Sequence, residues 1–201
     1  MSFLKRIIFD GKIPGRIWIQ RILIALAALT PLIWFFPEYW EDFGEYTWQI
    51  LVVIMLVRPL ANVFPKIRLF MALVPLRKEL GILCASMVLA HGVGFYLSIN
   101  EPIIAGFFDW TYWTFDDNQG YAHVGAILAI ILLITSNTWS QKILKRNWKR
   151  IQYLAYAFFL TGGIHAVLAK GDDHLFYLAE MIIVWIVWML AYFKVVLWKR
   201  A

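Results

Sequence analysis

Six long apolar runs separated by short polar stretches dominate the chain, at about 17–36, 47–64, 80–99, 121–137, 151–169 and 175–197. Crossing the hydrocarbon takes about 20 apolar residues at about 1.5 Å each, and every run is near that length. The pattern predicts an all-α fold: an integral membrane six-helix bundle forming a single domain over residues 1–201. No 20- to 50-residue repeat, low-complexity tract or polar linker divides it. The run after the basic start "MSFLKRIIFDGKIPGR" lacks a small-residue cleavage site, so the first helix is expected to stay in the protein.

The polar stretches alternate in sign. "PKIRLFMALVPLRKE", "SQKILKRNWKR", the N-terminal segment and the final "KR" hold nearly all the Lys and Arg, with Lys170 as the clear exception. "PEYWEDFGEY", "NEPIIAGFFDWTYWTFDDNQGY" and "KGDDH" are acidic. The positive-inside rule then puts both termini in the cytoplasm, which an even number of spans requires. Composition agrees with a membrane protein: 62% of residues are hydrophobic, 17% aromatic and only 16% charged. The net charge of +6 sits in short clusters between apolar runs, so orientation explains it better than nucleic acid does. A lone cysteine, Cys84, excludes an internal disulfide and any CxxC site. Trp and Tyr crowd the ends of the runs as an interfacial belt. Arg58 is close enough to the inner face to snorkel, and Pro59 is expected to kink or end its helix.

Candidate chemistry rests on four histidines. His123 and His174 fall near the outer interface, where water can satisfy a ring nitrogen, and neither is expected to be a primary ligand. His91 and His165 are deep, where an unpartnered imidazole is costly. His91 lies about 12 Å and His165 about 6 Å from the outer ends of their spans, a difference within the boundary error. Both spans run outward, so the two rings can meet in the outer half of the bilayer. Gly92 and Gly94 flank one His; Gly162, Gly163 and Ala166 flank the other. Small neighbours leave room for a planar cofactor, although close helix packing explains glycines equally well. The pair itself has three readings. Interhelical hydrogen bonding or a proton path is one, with Glu180 as the sole acidic candidate for a relay. Structural zinc would want four N or S ligands. Axial ligation of a haem iron needs only two.

The stretches "GEYTWQILVVIMLVRPL", "LRKELGILCASMVLAHGVGFYL", "VGAILAIILLITSN" and "KRNWKRIQYLAYAFFLTGGIHAVLA" resemble the ferric-reductase-like transmembrane domain over about residues 44 to 169. The nearest branch is that of haem-binding membrane subunits serving periplasmic methionine sulfoxide reductases. The resemblance implies a haem b protein of the bacterial inner membrane, with His91 and His165 as axial ligands and Gly92, Gly162 and Gly163 lining the cofactor. It implies electron transfer from a cytoplasmic flavin reductase or quinol to a periplasmic reductase. In two-haem members a second His lies deeper on each of these helices; those positions fall at Arg77 and Gln152 here, so one haem is expected. FMN or quinone toward the inner side would then bridge the gap to the donor. The outer loop, 100–120, is placed to receive a soluble acceptor or to lie on the interface as an aromatic flap. Two alternatives stay open: a free-standing transmembrane reductase of ferric chelates or quinone, and a haem-free scaffold or small transporter in which the His pair ties helices together.

Overall fold

The structure, a computed structural model, describes residues 10, 11 and 13–197. The orientation argument's Lys5, Arg6, Lys12, Lys199 and Arg200 lie outside the described residues, which are otherwise all helix and turn.

Helix α1 (Arg16–Leu29) runs on as a 3-10 segment, Thr30–Phe35. Then come α2 (Trp40–Val63), the short α3 (Arg68–Leu73), α4 (Arg77–Ser98), α5 (Ile103–Phe108), α6 (Gln119–Thr135), α7 (Thr138–Leu144), α8 (Arg146–Gln152), α9 (Leu154–Ala169) and α10 (His174–Tyr192). Five helical stretches are long and apolar enough to cross a membrane. A sixth arises if α6 and α7, bent by 91° at Ser136 and Asn137, count as one broken span. The bend has a local cause: Asn137 Oδ1 accepts from the Ser140 N–H at 2.8 Å, starting α7 in a new direction. The Ser136 hydroxyl donates back to the Leu132 carbonyl at 2.6 Å.

The second span differs from the sequence expectation. It begins at Trp40 rather than near residue 47, because Glu41 and Asp42 sit in its first turn, where carboxylates complement the helix dipole. Pro59 does not end it; the helix continues to Val63. The last span stops at Tyr192 rather than 197.

Helices α2 and α4 form the centre. α1 packs on α4, α6 joins α4 to α9, and α10 closes against α2 and α9. The core between them is built from Trp48, Leu51, Met55, Cys84, Ala129, Phe158, Phe159 and Met181. Outward faces stay apolar: Ile22, Ile134, Ile183 and Trp185 are all exposed, as lipid contact allows.

Two buried or half-buried charges are accounted for. Lys170, the cation on the acidic end, pairs with Glu45 and lies 4.0 Å from Glu41. It sits between two spans, and the Glu45 hydrogen bond raises its pKa above the ordinary lysine value. Glu180 Oε2 accepts from the Trp48 indole N–H at 2.5 Å and from Gln49 at 3.3 Å, so the carboxylate serves to tie α10 to α2. Glu180→Leu leaves the indole donor unpaired in the core and should cost about 1–3 kcal/mol; Glu180→Gln keeps an acceptor and should cost less. Thermal unfolding of the two variants side by side checks this ordering.

Candidate functional site

All four histidines donate Nδ1–H to a backbone carbonyl, which fixes each tautomer and leaves Nε2 as the acceptor. They differ in where that second nitrogen goes.

His123 is spent. It is 6% exposed, donates Nδ1–H to the Gln119 carbonyl at 2.8 Å, and accepts the Tyr96 O–H on Nε2 at 2.6 Å. Phe107, Tyr112 and Trp113 pack around it at ring-centre distances of 5.3, 6.3 and 5.0 Å. This corrects the expectation of a water-satisfied interfacial histidine. The segment 100–120 folds over it: α5 packs Gly106 against the Tyr96 ring, and Asp109 caps the 3-10 turn Trp110–Trp113 by accepting from the Thr111 N–H. The Thr111 N–H and hydroxyl both donate to Asp109 Oδ1, which holds the exposed carboxyl below the usual range. Phe108 and Trp110 remain 75% and 80% exposed. Tyr96→Phe and His123→Phe should each lower stability by about 1–3 kcal/mol through the orphaned partner, without touching any group bound elsewhere; denaturation and visible absorbance read the two effects separately.

His174 lies at the start of α10, exposed, with Nδ1–H on the Gly171 carbonyl at 2.5 Å.

His91 and His165 are different. The structure brings them together, one from α4 and one from α9, with ring centres 6.3 Å apart and planes inclined at 67°. His91 Nδ1–H donates to the Trp40 carbonyl at 2.6 Å, and His165 Nδ1–H to the Asn118 carbonyl at 3.0 Å. Among the described residues neither Nε2 has a hydrogen-bond partner, so both lone pairs are available. A ring nitrogen held by a carbonyl on one side and presented as a lone pair on the other is the arrangement of a metal-bound imidazole. The spacing fits as well. With metal–nitrogen bonds of about 2 Å, two imidazoles on opposite sides of one ion have centres about 6 Å apart. Among the described residues no group of three or more His, Cys, Asp or Glu could hold a metal ion, so this site offers two nitrogens.

The glycines divide. A Cβ added at Gly92 would meet nothing within 4 Å, and one at Gly162 only Leu51 Cδ2 at 3.8 Å, so both border open space. At Gly163 it would lie 2.9 Å from Trp48 and against Met181, so glycine there permits the close approach of α9 to α2 and α10. Gly94 likewise packs on Trp40 Cβ, at 2.7 Å. Of the two inner candidates, Gln152 is engaged elsewhere. Gln152 Nε2 donates to the Thr135 hydroxyl at 3.2 Å, and Trp148 Nε1 to the Thr135 carbonyl at 2.9 Å, clasping α8 to the end of α6. Arg77 lines a separate cavity.

Three contributors escaped the sequence reading: the Trp40 carbonyl, the Asn118 carbonyl, and Gly44. A Cβ at Gly44 would sit 2.6 Å from His91 Cε1, so this glycine is what admits the ring beneath α2. The acidic "WEDFGEY" just before the predicted span was the available signal, since it marks a helix start.

These features define an all-helical, multi-pass membrane protein that brings together a pair of carbonyl-oriented imidazoles within its spans. Residues 43–163, more than half of the chain, match the ferric reductase like transmembrane component, and the chain belongs to that family. It is also 25% identical over 191 residues to the protein-methionine-sulfoxide reductase heme-binding subunit MsrQ of Agrobacterium fabrum (strain C58), covering 85% of this chain and 81% of that one. No solved structure matches.

Proposed function

We propose that this chain is a haem-binding electron-transfer subunit of the bacterial inner membrane, with one haem b held between His91 and His165. The observation that carries the reading is the pair of imidazoles 6.3 Å apart, each with Nδ1–H on a carbonyl and Nε2 left as an acceptor. When bound, the haem supplies one-electron redox chemistry. The chain's own part is to fix both rings by the Trp40 and Asn118 carbonyls, to exclude water by burial, and to leave room beside Gly92 and Gly162.

The bundle has six spans, with α6 and α7 as the broken one, and both termini cytoplasmic. Basic residues gather where α2 ends and α4 begins, and acidic ones where α2 begins, which supports that orientation. His91 and His165 then lie in the outer half, on the side from which a periplasmic reductase would draw electrons. The MsrQ relative, named as the heme-binding subunit of a methionine sulfoxide reductase, supports that class of acceptor. A cytoplasmic flavin reductase or quinol is the donor, with FMN or quinone at the inner side in place of a second haem. Gln152, engaged with Thr135, supports a count of one.

A reduced-minus-oxidised visible spectrum of the purified protein, with pigment quantified per chain, tests this. One haem per chain is expected; two would refute the count, and a folded colourless protein would refute the reading. Turnover of ferric chelate or quinone by the chain alone would favour a free-standing reductase.

A further inference from the structure

At the end of the bundle opposite the histidine pair, a cavity of about 200 Å³ opens between α2, α4, α9 and α10. Met55, Pro59 and Ala191 supply its apolar wall, and Tyr156, Trp188 and Tyr192 an aromatic one. Two guanidinium groups, Arg58 and Arg77, share it with Asn62. No carboxylate lines it, and among the described residues neither arginine makes a salt bridge or a hydrogen bond. Arg77 Nε is buried without a partner. Glu79 Oε2 is likewise buried without a partner, but it does not reach Arg77 Nε: two residues along a helix points to another face, and Glu79 is not part of the lining.

Arg77, with a desolvated unpaired donor, and the exposed Arg58 put two like charges on one cavity, and an anion between them would relieve both the repulsion and the unpaired donor. The planar fork of arginine suits a phosphate, which can accept from both groups at once. The volume is right for a phosphate with its first ester carbons, being roughly six or seven times the share of one liquid water. The way in is from the side. Tyr156 and Tyr192 are 43% and 67% exposed on the outer surface of the bundle, level with the basic end, where a lipid headgroup would stand.

We propose that this cavity takes a phosphate ester, supplied by the headgroup of an anionic phospholipid and clamped by Arg58 and Arg77. The site is independent of the histidine pair, on which it places no demand. To test it, the full-length protein in detergent is offered equimolar phosphatidylglycerol and phosphatidylcholine, and the retained lipid is read by native mass spectrometry with and without inorganic phosphate. Phosphatidylcholine carries the same phosphate beside an ammonium that the arginines repel, so phosphatidylglycerol should be retained about tenfold over it. Arg58→Gln, at an exposed position where folding is not at risk, should cut that preference severalfold, and Arg77→Lys should give an intermediate loss. Inorganic phosphate should not displace the lipid. Equal retention of the two lipids by the native chain overturns the proposal, and so does an unchanged preference in Arg58→Gln. Full displacement by inorganic phosphate overturns the lipid as the source and assigns the cavity to a soluble phosphate.

Discussion

Alanine at His91 or at His165 should abolish the haem absorbance of the purified protein, each alone as completely as both together. The reason is geometric. Under the proposed ligation one nitrogen would come from α4 and one from α9, so removing either would leave a single attachment, with no cluster of three or more metal-ligating side chains among the described residues to replace it. The variants should still fold at a modest cost, because each loses one hydrogen bond to a neighbouring element, His91 to the Trp40 carbonyl and His165 to the Asn118 carbonyl, worth about 1 kcal/mol apiece. His123→Ala and His174→Ala should keep most of the pigment. For His123 the loss should appear as lowered thermal stability instead, since Tyr96 loses its acceptor. Pigment retained in both the His91 and the His165 variants would end the axial-ligand assignment.

Hydropathy alone located the helical stretches long and apolar enough to cross a membrane, because bilayer thickness dictates the length of an apolar run whatever its neighbours are. The ends were less legible. Trp40 to Tyr46 reads as an acidic loop by hydropathy, yet Glu41, Asp42 and Glu45 extend α2 by two turns. The carboxylates favour the helix start, and Lys170 arriving from the α9–α10 turn pairs with the third. The α6–α7 break was also hidden, since Thr138–Leu144 carries no apolar run of its own. The histidines show the same division. Depth and the small neighbours selected residues 91 and 165 from a single sequence. What distinguishes them from His123, however, is a hydrogen bond from Tyr96, 27 residues away, and no local pattern encodes that. Likewise, composition could not separate Gly92, which borders space, from Gly94 and Gly163, which border protein. That distinction depends on which element crosses the helix at each level.

Gly44 is where that crossing matters most. A methyl group on its Cα would lie 2.6 Å from His91 Cε1 and 2.9 Å from Nδ1, while ordinary carbon contacts need about 3.5–4.0 Å. The ring cannot yield freely, because Nδ1–H is held by the Trp40 carbonyl one helical turn before Gly44, and Trp40 itself packs on Gly94. Either the helix backs away, loosening the α2–α4 contact at the core, or the ring turns and its present setting beside His165 is lost. Gly44→Ala should therefore lower haem content severalfold and cost about 1–3 kcal/mol of stability, the usual range for overpacking. Gly44→Leu should bring pigment to background. Gly92→Ala separates steric pressure on the ring from occupation of the space beside it. Its Cβ meets no protein atom, so in the haem-free protein it should not lower thermal stability, and should raise it slightly because alanine favours the helix over glycine, while haem uptake falls. Haem titration into the three variants, with unfolding followed in parallel by circular dichroism, gives both quantities. Full haem binding by Gly44→Leu would show that the ring at position 91 does not need its present setting, and the ligand assignment would fail with it.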